Sequence, residues 1–176
     1  MPSKKRPKAS LASDSVNEEP ELDDLDLRIL DTLGRNPRIS MSELAKNVRM
    51  SRPAVVERVR RMESKGVISG WRVDFNPAKL GLPLTCYIRI RPLQGHLSTI
   101  ANLVRELPQV VECHRITGED CFLVKANVSS VGALELIIDR FLPYGQTTTS
   151  IVQSSPVPVR LPPLPELEVS SKQKRS

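Results

Sequence analysis

The run from Ser40 to Lys65 constrains the fold of this chain more than any other part of its sequence. Ser40 followed by Glu43 is a capping-box pattern, in which a hydroxyl and a carboxylate each satisfy a free backbone N–H at a helix start. Apolar residues then recur at helical spacing, which predicts a helix of about two turns over residues 41–48. The pattern therefore begins with a short, well-defined helix.

A second helix is predicted directly after the first. Ser51 is its N-cap, and Pro53 lies in the first turn, where the missing N–H of proline has no cost. The helix is expected to run to Lys65, with Gly66 just past its end. Only Arg49 and Met50 separate the two helices, and such a minimal turn is typical of a helix-turn-helix.

The second helix has one apolar and one basic face. Val55, Val59 and Met62 fall on the apolar side at 100° per residue. From Arg49 to Arg72 there are seven Arg or Lys and two Glu, a net charge of 7 − 2 = +5. A basic run is usually only a solvated helix face, but on the second helix of this pair it favours DNA recognition. The predicted DNA-binding residues are Ser51, Arg52, Pro53, Ala54, Glu57, Arg58, Arg60 and Arg61.

The flanking segments complete a first domain over residues 22–74. An apolar stripe predicts a helix from Leu22 to Leu33, which would support the other two helices. Residues 67–73 are a short extended piece, which is either a small wing or the first strand of a linker hairpin. Residues 75–83 contain Pro and Gly and are interpreted as the linker to a second domain.

The second domain, residues 84–153, shows the order βαββαβ. Its first strand alternates with a period of two, and helices and strands then follow between turn residues. This order predicts a four-stranded antiparallel sheet with two helices on one face. The open face is either solvated or paired with a second copy of the chain, and its predicted residues are Tyr87, Arg89, Arg91, Glu112, His114 and Lys125.

Composition limits the remaining possibilities. Residues 1–21 are polar and are expected to be a disordered basic arm, which is either a nuclear signal or a source of phosphate contacts. Residues 154–176 are predicted to be an extended, proline-rich tail. No apolar run approaches the ~20 residues that span a membrane. Three cysteines without a CxxC favour a reducing cytoplasm. Cys113, His114 and Cys121 lack a fourth ligand, so no metal site is predicted.

Several motifs together resemble those of the Lrp/AsnC, or feast/famine, transcription regulators. They are LDxxDxxILxxL at Leu22 to Leu33, RISxxELA at Arg38 to Ala45, the Arg-rich run ending at Glu63, and Gly118-Glu119-Asp120. The resemblance implies an α+β chain with an N-terminal three-helix, winged-helix-like DNA-binding domain. It also implies a C-terminal ferredoxin-like domain for effector binding and oligomerisation. By the same resemblance, the protein is expected to be cytoplasmic and associated with the nucleoid.

The same resemblance implies partners and a ligand. Members of the family bind double-stranded DNA as homodimers, which often assemble into octamers, and they bind amino acids in clefts between effector domains. Many members have a second acid where this chain has Cys121. Because this chain has fewer carboxylates there, a neutral amino acid is the expected effector. No other cofactor is predicted. The effector-binding residues carried over are Gly118, Glu119, Asp120, Cys121, Thr147, Thr149 and Ser150.

Two alternative functions stay open at this point. Some relatives of the fold decarboxylate siroheme, and His114 with Arg89 and Arg115 would be the residues to nominate for such an enzyme. Against this, the sequence shows no catalytic triad order, no phosphate-binding glycine loop and no paired carboxylates, so no catalytic residues are predicted. A ligand-independent architectural DNA-binding protein is the other alternative.

Overall fold

Three helices form the first unit of the protein, as seen in a computed structural model that describes residues 21–165. These are α1 (Asp24–Arg35), α2 (Met41–Val48) and α3 (Arg52–Ser64). Ile29 of α1, Leu44 of α2 and Val55 of α3 are all fully buried, so each helix contributes its apolar stripe to one core. The predicted three-helix arrangement is confirmed.

Serine and aspartate side chains fix the helix starts. Ser40 accepts a hydrogen bond from the Glu43 N–H (3.2 Å), and Ser51 accepts one from the Ala54 N–H (3.4 Å). The described hydrogen bonds include no return bond from Glu43, so only half of the predicted capping box is present at α2. The complete capping box lies at α1, between Asp23 and Asp26.

The turn between α2 and α3 is closed by a left-handed residue. Arg49 has φ 57° and ψ 47°, and the Met50 N–H donates to the Ala45 carbonyl at 2.9 Å. These bonds satisfy carbonyls that the end of α2 would otherwise leave free. The chain can therefore enter α3 after only residues 49–51, a turn as short as that of a helix-turn-helix.

Residues 67–83 contain one turn of 3-10 helix, Pro77–Leu80, which ends at Gly81 with φ 81°. Neither the wing nor the linker hairpin is formed, because residues 67–73 pair with no strand in the described part of the chain. Val73 and Phe75 are 75% and 72% exposed. The linker thus carries apolar surface that the single chain leaves uncovered.

The second unit has the predicted βαββαβ order. Its elements are β1 (Leu84–Pro92), α4 (Leu97–Glu106), β2 (Val110–Arg115), β3 (Phe122–Val128), α5 (Val131–Phe141) and β4 (Gly145–Ile151). The sheet is antiparallel throughout, in the order β2-β3-β1-β4. Alternate residues of β1, including Ile88 and Ile90, are fully buried together with Ile100 of α4 and Phe141 of α5. The opposite face of the sheet carries the polar residues.

The ends of the chain are only partly described. The predicted disorder of the N-terminal arm concerns residues that, except for Glu21, lie outside the described range. The last strand ends at Ile151, two residues before the predicted domain end at Gln153, and residues 152–165 form neither helix nor strand. Residues 161–165 group with the three-helix unit.

Candidate DNA-binding and effector sites

The N-terminal half of α3 presents an exposed polar edge. Ser51, Arg52, Pro53, Glu57 and Arg60 are all exposed, and Ala54 is half-buried beside them. The Arg52 and Arg60 guanidinium groups have no ion-pair partner in the part of the chain that the structure describes. An exposed helix edge with free guanidinium groups has the shape and charge to enter a DNA groove.

Arg58 and Arg61, which the sequence assigned to the same surface, face α1 instead. Arg58 Nη1 lies 2.9 Å from Asp26 Oδ1, and Arg61 Nη2 lies 2.5 Å from Asp26 Oδ2. Arg58 also donates to Asp23 at 2.6 Å. The Asp26 side chain is fully buried, whereas Arg58 and Arg61 are 22% and 43% exposed. These two arginines therefore anchor α3 to α1.

The charges of this anchor stabilise each other. Burial alone would raise the pKa of Asp23. The hydrogen bonds that Asp23 accepts from Arg58 and from the backbone N–H groups of Asp26 and Leu25 outweigh burial and lower that pKa. Hydrogen bonds to Asp23 and Asp26 in turn raise the pKa of Arg58. Because Asp26 has no access to water, it depends on both arginines to compensate its charge.

The anchor changes which substitution is diagnostic for DNA contacts. Removing Arg61 would leave a buried carboxylate short of a partner and would perturb the fold together with any DNA contact. Arg52 and Arg60 are free of this complication. Helical periodicity alone did not reveal the anchor, because it placed Asp26 between the apolar positions of α1, where a solvated acid is the usual interpretation.

The predicted effector loop connects β2 to β3 and lies beside two arginines of β1. Gly118 has φ 107°, a conformation that strongly favours glycine. Glu119 pairs with Arg91, and Asp120 lies 3.9 Å from Arg89 and 3.7 Å from Arg91. Cys121 is half-buried, with its thiol 3.9 Å from the Glu119 carbonyl. The loop thus offers carboxylates and guanidinium groups side by side.

The sequence-predicted residues of β4 divide between the two faces of the sheet. Thr147 and Thr149 stand opposite Ile90 and Ile88 of β1, so their side chains share the face that packs against the helices. Ser150 stands opposite Tyr87 and shares the open face. Within one chain, Thr147 and Thr149 therefore do not join the loop acids.

Thr148 is a residue of β4 that lies across from an arginine of β1. It stands opposite Arg89, on the same face as the acid-pairing arginines, and it is exposed. The alternation of a strand would have identified it once the strand register was known.

The open face of the sheet carries further paired charges. Glu112 and His114 are 2.6 Å apart, and the hydrogen bond with His114 lowers the pKa of Glu112. Lys125 lies 6.0 Å from the centre of the Tyr87 ring. His114, the residue nominated for siroheme chemistry, thus shares a hydrogen bond with Glu112 on the same strand.

Two family models match this chain. One, described as winged helix-turn-helix DNA-binding, matches residues 22–69, and the other, described as the Lrp/AsnC ligand binding domain, matches residues 85–162. The HTH-type transcriptional regulator LrpC of Bacillus subtilis is 35% identical over 134 residues, which are 76% of this chain and 93% of that protein. The chain belongs to the Lrp/AsnC family.

Similar proteins in this family are named as transcriptional regulators. The leucine-responsive regulatory protein of Haemophilus influenzae is 34% identical over 113 residues, 62% of this chain and 68% of that protein. The solved structure of B. subtilis LrpC superposes with a TM-score of 0.73 and 35% identity, covering 77% of this chain and 96% of the other.

A further solved structure holds an amino acid. The feast or famine regulatory protein of Mycobacterium tuberculosis, in complex with L-methionine, has a TM-score of 0.74 and 29% identity, covering 80% of this chain and 98% of the other.

Among the described residues of the present chain, no helix is both long and apolar enough to span a membrane.

Proposed function

We propose that this protein is a sequence-specific DNA-binding transcription regulator whose DNA contacts centre on the exposed edge of α3. The observation that carries the proposal is the contrast among the arginines of this helix. Arg58 and Arg61 hold α3 against α1, whereas Arg52 and Arg60 remain exposed and unpaired in the described chain. A helix that is already held in place is suited to a groove, because only the side chains of its free arginines, and not its backbone, must become ordered on DNA.

Removal of the free arginines tests the proposal. Arg52→Ala/Arg60→Ala should weaken DNA binding and reduce the slope of log K against log salt by about 1–2, since each phosphate contact contributes about 0.9. The charge-matched control is Arg38→Ala/Lys79→Ala, which removes two exposed cations away from α3. Equal affinity and equal salt slope for the α3 variant and the parent would refute this assignment.

We further propose that a small neutral amino acid binds at the loop from Gly118 to Cys121. An amino acid is a zwitterion, and the loop region offers both complementary charges. Glu119 and Asp120 suit the ammonium group, and Arg89 and Arg91 suit the carboxylate. A neutral ligand side chain is favoured because Cys121 adds no third acid. The methionine complex of the M. tuberculosis relative supports this chemistry.

Calorimetric titration with methionine, leucine and lysine tests the effector site. We expect methionine or leucine to bind more tightly than lysine, and Arg91→Ala or Gly118→Trp to abolish binding. Binding that survives both substitutions would place the pocket elsewhere. An effector changes DNA affinity only through its different affinities for two states, and a coupling of about 1–3 kcal/mol would change operator affinity about 5- to 150-fold.

The protein is also proposed to act as a homodimer that assembles further, up to an octamer or beyond. The open sheet face bears Tyr87 and its neighbouring charges, and Val73 and Phe75 of the linker are largely exposed in the single chain. Burying such surface against a second copy would remove apolar area from water. Light scattering at micromolar concentration should therefore give at least the mass of a dimer, and a strictly monomeric mass would refute this part.

A further inference from the structure

The C-terminal tail makes a contact that belongs to neither proposed site. The chain leaves β4 at Ile151, in the second unit, and residues 161–165 group with the three-helix unit. There Leu164 and Pro165 border a cleft of about 330 Å³, whose other walls include Leu27 and Thr32 of α1 and Val48 of α2. In the described chain no residue of α3 lines this cleft.

The sequence of the tail suits such a contact. Residues 161–165 read Leu-Pro-Pro-Leu-Pro, and prolines at this density favour the polyproline II conformation. That helix has three residues per turn, so Leu161 and Leu164 would project from the same edge, about 9 Å apart. A proline-rich segment is stiff before it binds, so it loses little entropy when its side chains dock in a groove.

Leu161 lies against α1 at Gly34, although 66% of its surface is exposed. A Cβ atom added to Gly34 would lie 2.7 Å from Leu161 Cδ1, closer than non-bonded carbon atoms approach. Gly34 is within α1, where glycine is otherwise unfavourable, and its φ is not in the left-handed region. The tail therefore runs close enough to α1 for a Cβ atom at Gly34 to displace the end of the Leu161 side chain.

We propose that residues 161–165 form a strap that docks on the α1–α2 cleft of the chain's own DNA-binding unit. The chain then connects the two units twice, once through the linker and once through the strap. A second connection restricts how freely the DNA-binding unit can reorient. The contact leaves the exposed edge of α3 free for DNA.

The end of the strap lies beyond the part of the chain that matches the ligand-binding family model. The ligand-binding family model ends at residue 162, before Leu164. B. subtilis LrpC matches over 93% of its own length but only 76% of this chain. Residues 163–165 of the strap thus lie outside the matched ligand-binding domain.

Hydrogen exchange of the full-length protein tests the docking without DNA. In Leu161→Asp/Leu164→Asp protein, amides at the end of α1 and in α2 should exchange about fivefold faster or more, because local opening no longer has to displace the strap. The control Val157→Asp/Val159→Asp adds the same charges to tail positions that lie before the strap and outside the cleft wall, and it should leave exchange unchanged. Identical exchange in the parent and the strap variant would overturn the proposal.

Cross-linking decides which copy supplies the strap. Gly34→Cys and Leu161→Cys are introduced together, with Cys113 and Cys121 replaced by serine, and the thiols are joined with a short bifunctional reagent. We expect an internal cross-link that leaves the chain at its monomer mass under denaturing conditions. A covalent dimer as the main product would overturn the assignment of the strap to its own chain.

The consequence for DNA rests on the proposed function and is measured separately. Parent and Leu161→Asp/Leu164→Asp proteins are titrated with an operator and with the same operator carrying two extra base pairs between its half-sites. The parent should lose more affinity on insertion than the strap variant, because its DNA-binding units reorient less. Equal losses would refute the restriction. A parent that binds no DNA would instead refute the proposed function, while the exchange result would still decide the docking.

Discussion

Replacing the buried acid of the α1–α3 anchor should destabilise the DNA-binding unit more than any comparable surface change. Asp26→Asn keeps the size of the side chain but removes the charge that Arg58 and Arg61 share. The two arginines then face each other with Asp23 as the remaining acid of the cluster, and Asp23 is half exposed. The substitution therefore leaves two partly buried cations undercompensated.

The expected cost follows from the burial of the three side chains. A hydrogen bond to a charged group contributes about 1.5–3 kcal/mol, and Asp26 accepts one from each arginine. Exposed pairs contribute about 0–1 kcal/mol and breaking fully buried ones costs about 3–5 kcal/mol. Because Arg58 and Arg61 are 22% and 43% exposed and can regain water, we expect an intermediate cost of about 2–3 kcal/mol.

Tryptophan fluorescence during urea unfolding measures this cost. Trp71 is the single tryptophan of the chain, and its Nε1–H donates to Glu63 Oε1 of α3 at 2.8 Å, so it reports on the first unit. With an m-value of about 1 kcal/mol/M, the midpoint should fall by about 2–3 M. Asp24→Asn, an exposed acid on the same helix turn, is the matched control. A midpoint for Asp26→Asn no lower than that of the control would refute the anchor.

Three further predictions concern single positions. Gly145→Ala should destabilise the second unit by about 1–3 kcal/mol in calorimetry, because the added Cβ would lie 2.6 Å from the Arg91 carbonyl oxygen. The control Gly132→Ala in α5 should be neutral or stabilising, because its added Cβ meets nothing closer than 3.9 Å. Cys86 is buried, which raises its thiol pKa, so alkylation timed by mass spectrometry should modify it only on unfolding; rapid native-state modification would contradict its burial. The pKa of Asp23 is lowered on folding, so its contribution to the free energy of unfolding is complete above about pH 4 and is lost as pH falls through the lowered pKa. The urea midpoint of an Asp23→Asn protein should therefore depend less on acid pH than that of the parent.

The sequence was sufficient to predict the elements of both units. Helical spacing, serine caps and the two-residue turn located α2 and α3, and the period of two located β1, because these local signals agree with the global fold. Residue roles that depend on burial were less accessible. Asp26 looks like a surface acid in any one-dimensional pattern, and its two partners lie more than thirty residues away in sequence.

The division of β4 between two faces was hidden from the sequence for a related reason. The prediction took Thr147, Thr149 and Ser150 together, although a strand alternates and these residues divide between two faces. Only the register against β1 shows that Ser150 lies on the open face, with Thr148 beside Arg89. The tail contact at Gly34 was equally hidden, since proline content predicts an extended segment but says nothing of where it docks.

Selection of bound sequences from a random duplex DNA pool tests the central claim most directly. Full-length protein is used at fixed salt, in parallel with Arg52→Ala/Arg60→Ala protein. A sequence-specific dimeric regulator should enrich a motif with two related half-sites about one helical turn, or a multiple of it, apart. The α3 variant should fail to enrich the same motif at equal concentration. If the parent enriches no motif, or if the variant enriches the same motif equally well, sequence-specific recognition through this edge of α3 is contradicted.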